Sequence, residues 1–283
     1  ESVNSEGSSS LYNRATQGQY PPGSTFKIFT ALEYYREHPD DYMDYQYDCT
    51  GKIVADNSTI NCYKGEVHGA VNFEQSFAES CNTSFSNIGL QINNDSFDAL
   101  CNSMLFNTSL PIAFESSKSK FFLSSEDSAA MTMETSIGQG KTMVSPLHML
   151  LVTSAICNDG VLMKPYLVDH TENVDGVVVS SNSQSQYSAL LSQNESDMLE
   201  SLMSAAVSYG TCSKLSGQSY SAYGKTGTAE VSDTTDQTNA WFVGYAKKDG
   251  YNDIAIAVIV ENSGAGSTYA VPIAKNVFDK YFN

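Results

Sequence analysis

Two side chains near the start of the chain have the types and the spacing for acyl transfer. The stretch "YPPGSTFK", residues 20 to 27, sets a Pro-Pro-Gly turn directly before Ser24 and puts Lys27 three residues later, in the first turn of an apolar run. Residues i and i+3 of a helix share a face. A serine at the very start of a helix also lies beside unsatisfied backbone N–H groups and the positive end of the dipole. Ser24 can therefore serve as a nucleophile, Lys27 as the base that takes its proton, and the helix start as a seat for an oxyanion. The base must be neutral at some stage. An ordinary lysine has a pKa near ~10.4, and lowering it by about three units takes roughly 4 kcal/mol of burial or cationic neighbours. A second lysine is then the feature to seek. The competing reading is structural: serine is a favoured N-cap, and a helical lysine is usually solvated. Ser117 and Lys120 repeat the same spacing in a stretch that reads as irregular.

A second lysine stands in "YGKTGTAEV", as Lys225-Thr226-Gly227-Thr228, and this K-T-G triplet occurs once in the chain. Alternation along a strand turns Lys225 and Gly227 to one side, where a glycine leaves room for something to approach. The structural alternative is an edge strand with a glycine bulge. Between the two lysines lies "AESCNTSF", in which Ser80 and Asn82 form S-x-N. That pattern also occurs at Ser2/Asn4, Ser180/Asn182 and Ser192/Asn194, but Ser80 falls at a break between two predicted helices.

These residues need elements to hold them. The sequence predicts a helix from Ser24 to about Glu37, stopped by His38-Pro39. Residues 1 to 19 read as a loose arm, 39 to 70 as turns with short strands, and 108 to 130 as an irregular polar stretch. The run from Asn72 reads as two short helices broken near Cys81, and that from Ser96 as another. Ser145 and Pro146 open a further helix that Gly160 ends, and a capping box from Ser192 to Glu195 opens one that ends at Gly210. Three strand-like runs, "AYGKTGTAEV", "NAWFVGYAKK" and "DIAIAVIVEN", are close enough to form an antiparallel meander. A last amphipathic helix spans about Ala270 to Phe282. The organisation is α+β: a helical middle, then a sheet covered by a terminal helix.

Composition narrows the partners. The 283 residues carry 15 Lys and Arg against 32 Asp and Glu, a formal net charge of -17. Such a surface repels phosphates and anionic lipid, which argues against nucleic acid. No apolar run approaches the roughly 20 residues of a membrane helix. The chain opens on Glu rather than Met, which fits a trimmed piece that has lost any leader or anchor. None of the six cysteines forms a C-x-x-C pair and the four histidines (His38, His68, His148, His170) are scattered, so the spacing predicts no structural zinc and no metal. Cys49 and Cys62 bracket a turn-rich segment and can form a disulfide in an exported protein. Free buried thiols are expected for Cys81, Cys101, Cys157 and Cys212.

S-x-x-K, S-x-N and K-T-G, in that order, are the motif set of penicillin-binding proteins and active-site serine β-lactamases. With the flanks "SIGQG", "NDGVLMKPYLV" and "AWFVGYA", residues 13 to 280 resemble the transpeptidase domain of a high-molecular-mass, class B-like penicillin-binding protein. The resemblance implies one α+β domain over residues 1 to 283: an antiparallel sheet flanked by helices, with a helical subdomain, as in serine β-lactamases. Its N-terminal strands, which carry a D-x-x-T-G-x-x-L-A-like turn in this family, and any anchor or preceding module would lie before residue 1. It implies a D,D-transpeptidase acting on peptidoglycan stem peptides that end in D-Ala-D-Ala. Ser24 would be the nucleophile and Lys27 its base. The backbone N–H groups of Ser24 and Thr228 would form the oxyanion hole. Ser80 would relay a proton, Asn82 would hold the substrate amide, and Lys225 would supply positive potential. Thr226, Gly227 and Thr228 would bind the terminal carboxylate. No cofactor is implied. β-Lactams would acylate Ser24, and cell-division or elongation proteins are candidate partners.

Several rivals share the motifs. A class of serine β-lactamase needs an E-x-x-N loop between the second and third motifs, and none occurs between Asn82 and Lys225. A D,D-carboxypeptidase would use water as acceptor, a β-lactam sensor would acylate without turnover, and a scaffold would have lost the chemistry. The implied location is the outer face of the bacterial cytoplasmic membrane, on an N-terminal anchor outside this chain. Cys81, inside the second motif, is expected to pack inward.

Overall fold

The computed structural model describes residues 11–230 and 237–283. The first ten residues of the expected loose arm, and Val231 at the end of the third-motif strand, lie outside the described residues. Residues 11 to 19 are tied down rather than loose: Leu147 N–H donates to the Ala15 carbonyl at 3.0 Å, and Ser117 N–H to that of Thr16 at 2.9 Å.

A 3-10 turn, Gly23–Phe26, leads into α1, Lys27–Glu37. Helix α1 is buried at every position from Lys27 to Tyr34, so it is a central helix rather than an amphipathic one. Aromatic rings wedge it in place. Phe26 lies 5.1 Å from Phe29, 5.7 Å from Phe97 and 5.4 Å from Phe121, ring centre to ring centre. Four short strands follow: β1 Gln46–Cys49, β2 Lys52–Ala55, β3 Ser58–Asn61 and β4 Gly69–Asn72. β1 pairs antiparallel with β4, and β2 with β3. The helical part continues with α2 Phe73–Ala78, α3 Asn82–Gly89, α4 Asn94–Ser103, α5 Ala129–Ser136 and α6 Pro146–Cys157. Ser145 caps α6 as expected, its hydroxyl accepting from His148 N–H.

Two small strand pairs then interrupt the helices, one nested in the other: β5 Val161–Met163 pairs with β8 Gln186–Ala189, and between them β6 His170–Glu172 forms a hairpin with β7 Val178–Ser181. The capping box of Ser192 and Glu195 opens α7, Gln193–Ser208. The sheet comes last: β9 Ser221–Glu230, β10 Thr238–Lys247 and β11 Ile254–Val260, antiparallel in the order β11-β10-β9. Helix α8, Gly266–Phe282, closes the chain. It starts four residues before the expected Ala270, in a Gly-Ser-Thr run that reads as loop. Contact with the sheet decides it: a Cβ at Gly266 would sit 2.3 Å from the Trp241 carbonyl oxygen.

β10 is buried at every position from Asn239 to Ala246. Successive side chains of a strand face opposite ways, so both faces of the sheet are covered. Helix α8 packs on all three strands, α6 on β10 and β11, and α7 on β9. The expected α+β architecture is thus present. Expectation and structure differ mainly at α5 and at the nested β5–β8 and β6–β7 pairs, which lie where the sequence pattern is weakest. α5 contains the small and polar residues of "AAMTMETS" and has almost no amphipathic contrast. The β6–β7 hairpin is exposed throughout and has no apolar alternation to announce it.

Candidate active site

The three motifs meet where the start of α1, the α2–α3 corner and β9 come together. The corner is made by Ser80, whose backbone takes a left-handed conformation, φ +60°. Such a conformation costs an L-residue about 1–2 kcal/mol. It ends α2 abruptly and is braced by Ser80 N–H donating to the Phe77 carbonyl at 3.1 Å and Cys81 N–H to that of Ser76 at 2.9 Å. The result is a turn that presents the carbonyl and hydroxyl of Ser80, and the amide of Asn82, to α1.

Lys27 meets all three. Its ammonium donates to the Ser80 carbonyl at 2.7 Å, to Asn82 Oδ1 at 2.8 Å and to Ser80 Oγ at 3.3 Å. Lys225 approaches from β9 and donates to the same Ser80 Oγ at 2.8 Å and to the Thr226 carbonyl at 3.2 Å. Both lysines are fully buried, at 0% exposure. Among the described residues, no carboxylate forms an ion pair with either ammonium. Each instead stands over an aromatic ring, Lys27 over Phe85 and Lys225 over Phe77, both 5.4 Å from the centroid. Burial without a counter-ion disfavours the charged form. Lys27 is held well below the ordinary lysine range, first by burial and second by the charge of Lys225. Lys225 is pushed down to about 8, by burial. The second lysine sought from the sequence is therefore present, and burial outweighs it.

Ser24 is half-buried in the 3-10 turn one position after Gly23. The turn is held by two bonds from outside and one within. Gly23 N–H donates to the Gly138 carbonyl at 3.0 Å, Trp241 Nε1 donates to that of Pro21 at 3.0 Å, and Thr25 Oγ1 to that of Pro22 at 2.8 Å. Gly23 has φ +52°, and a Cβ there would fall 2.8 Å from the Thr228 carbonyl oxygen. Only glycine lets the Ser24 turn lie this close to β9, which brings the backbones of Ser24 and Thr228 together. Gly227 has a related part. A Cβ on it would meet the Pro22 carbonyl oxygen at 2.9 Å and Thr25 at 3.1 Å. The room expected beside this glycine is filled by the nucleophile-bearing turn. Thr226 donates its hydroxyl to Thr211 Oγ1 at 2.6 Å, and Thr228 Oγ1 accepts from Gly266 N–H at 3.4 Å.

Residues 1–279 match the family model described as the penicillin-binding protein transpeptidase domain. The chain belongs to this family. It is 30% identical over 290 residues to the peptidoglycan D,D-transpeptidase PbpA of Mycolicibacterium smegmatis, covering 97% of this chain and 57% of that protein. It is 27% identical to the peptidoglycan D,D-transpeptidase MrdA of Haemophilus influenzae, covering 96% of this chain and 46% of that one. The chain thus spans about half the length of these relatives. The structure resembles that of penicillin-binding protein A from M. tuberculosis in a ceftriaxone acyl-enzyme complex, with a TM-score of 0.87 at 26% identity over 98% of this chain and 64% of that one.

Three positions escaped the motif reading. Thr211 fixes the motif residue Thr226, while Trp241 and Gly138 fix Pro21 and Gly23 just before Ser24; none of the three sits in a motif, and "SIGQG" and "AWFVGYA" flag the last two only as flanks. The cysteine expectations need correction. Cys49 and Cys62 are free thiols with sulfurs 3.7 Å apart, nearly twice the roughly 2.05 Å of a disulfide. The histidines are not all isolated from the cysteines: His68 Nδ1 lies 3.3 Å from Cys49 Sγ. Cys81 turns away from the lysines, as expected, and its sulfur lies 3.7 Å from that of Cys62.

Proposed function

We propose that this protein is a D,D-transpeptidase that crosslinks peptidoglycan stem peptides ending in D-Ala-D-Ala through an acyl-enzyme on Ser24. The observation that carries the proposal is the pair of fully buried lysines converging on the Ser80 hydroxyl, with no carboxylate paired to either among the described residues. A fold has little reason to bury two ammonium groups together unless their protons are used. The names of PbpA and MrdA support the same reading.

In the proposed cycle, Ser24 Oγ attacks the carbonyl of the penultimate D-alanine while Lys27 Nζ, neutral because of its burial, takes the hydroxyl proton. The oxyanion that forms is held by backbone N–H groups of Ser24 and Thr228. Collapse breaks the C–N bond, and the proton passes from Lys27 through Ser80 Oγ, which both ammonium groups touch, to the departing amine of D-alanine. Asn82 orients the substrate amide. Lys225, Thr226 and Thr228 receive the terminal carboxylate, and Gly227 lets β9 close on the Ser24 turn. An amine of a neighbouring stem then attacks the ester, forms the new amide and frees Ser24. In a β-lactam the broken C–N bond is part of the ring, so the leaving amine stays attached and the ester persists. Because the substrate lies outside the cytoplasmic membrane, we place the domain on that side, held by an N-terminal anchor. Among the described residues no helix is long and apolar enough to cross a membrane.

The test is turnover. A stem pentapeptide ending in D-Ala-D-Ala, offered with an amine acceptor, should release D-alanine and give an acceptor adduct, and Ser24→Ala should abolish both. Release without an adduct would make the protein a carboxypeptidase. Acylation by penicillin with no release would make it a sensor.

A further inference from the structure

The corner that carries Ser80 and Asn82 has a second side. Cys81 stands between them as N-cap of α3, a position that favours Ser, Thr, Asp or Asn, and its sulfur accepts from Ser84 N–H at 3.4 Å. A neutral thiol is a weak acceptor, and a thiolate is a better one. Cys81 Sγ belongs to a compact group. Cys49 comes from the end of β1, Cys62 follows β3, and His68 precedes β4. Among the described residues, Cys49 Sγ, Cys62 Sγ, Cys81 Sγ and a His68 ring nitrogen all lie within 4.8 Å of one another.

We propose that Cys49, Cys62, Cys81 and His68 bind one zinc ion, which fixes the Ser80–Asn82 corner to the small strands. The spacing suits a tetrahedral Cys3His centre. Zinc–sulfur bonds of about 2.3 Å at tetrahedral angles put sulfurs about 3.8 Å apart. The Cys49–Cys62 and Cys62–Cys81 distances are both 3.7 Å. A tetrahedral sulfur–nitrogen edge is about 3.6 Å, and Cys49 Sγ to His68 Nδ1 is 3.3 Å. The surroundings match as well. The three cysteines are buried in a cluster of their own, apart from the main core. Thr83 donates its hydroxyl to Cys49 Sγ at 3.1 Å and lies 3.4 Å from Cys81 Sγ. The other nitrogen of His68 faces Glu66 Oε2 at 3.8 Å, on the side where carboxylates orient metal-binding imidazoles. A disulfide between any two of these sulfurs would leave the third thiol and the imidazole without a role. Four protein ligands leave no open position, so the ion is structural rather than catalytic. On binding it displaces the three thiol protons to solvent.

The protein should be purified without chelator, freed of loose metal by gel filtration and assayed for zinc and iron by plasma mass spectrometry. One zinc per chain is expected. Cobalt exchange should give the intense visible bands and thiolate-to-cobalt charge transfer of a tetrahedral sulfur-rich site. Cys49→Ser and His68→Ala should each lose most of the metal, while Cys101→Ser keeps it. Should the variants fail to fold, the cobalt spectrum of the unaltered protein still decides. The proposal is overturned by protein that holds no metal after zinc is supplied, by iron in place of zinc, by a pale octahedral cobalt spectrum, or by full zinc content in both ligand variants. Chelation should also slow penicillin acylation at least about tenfold, reversibly with zinc. That link alone rests on the proposed acylation chemistry; metal content and spectrum do not.

Discussion

The Ser80-Cys81-Asn82 corner faces two chemistries across one turn of backbone. On one side Ser80 and Asn82 receive two buried ammonium groups, and on the other Cys81 joins Cys49, Cys62 and His68. Burial holds both lysines below their ordinary range, and on the proposed reading that side moves protons. The sulfur side, if it holds a closed metal centre, is arranged not to react. Under the two proposals, a corner with a costly left-handed residue is held still next to groups that change charge. The moving parts are braced by a neighbour that has none.

Breaking the reactive side should give the largest effects and leave the fold intact. Ser24→Ala should abolish covalent penicillin binding with Tm unchanged within ~1 °C, since a half-buried serine loses little on truncation; intact mass and thermal melts check both. Lys27→Ala should slow acylation by about 10²–10⁴-fold, the range for a positioned base. Stopped-flow acylation measures it, and a loss under tenfold would remove Lys27 from that role.

The pH profile sharpens the contrast between the two lysines. Lys225, pushed down to about 8, is charged below that value and neutral above it. If its charge receives the carboxylate, acylation falls as pH rises through about 8, and Lys225→Arg moves that limb to higher pH. Lys27 must be neutral to act, and its folded pKa is lowered. Acylation therefore also falls on the acid side, well below the ordinary lysine range. A profile with only one limb, rising to pH 10, would contradict these assignments. The smallest effect belongs to Thr226→Val. It removes the bond to Thr211 at a cost of about 1 kcal/mol in stability, with a few-fold change in acylation.

Legibility in the sequence follows the same divide. Ser24, Lys27, Ser80, Asn82 and Lys225 could be read because their chemistry is written in short local patterns, and the helices around them carry caps and apolar periods. Gly227 was legible as a close approach, but not which backbone would fill it. The sulfur group was not legible. Its members are separated by 13, 6 and 13 residues, at or beside four different elements, and only strand pairing brings them together. The β6–β7 hairpin between α6 and α7 was missed because an exposed strand has no buried face to pattern its residues.

All of the proposed acyl chemistry depends on Ser24 being the acylated nucleophile. Incubation with benzylpenicillin, followed by intact-mass measurement and peptide mapping, probes this without any assumption about the acceptor. One stable penicilloyl adduct on the peptide containing Ser24 is expected. An adduct elsewhere, penicillin consumed without an adduct, or neither adduct nor consumption by folded protein would contradict it.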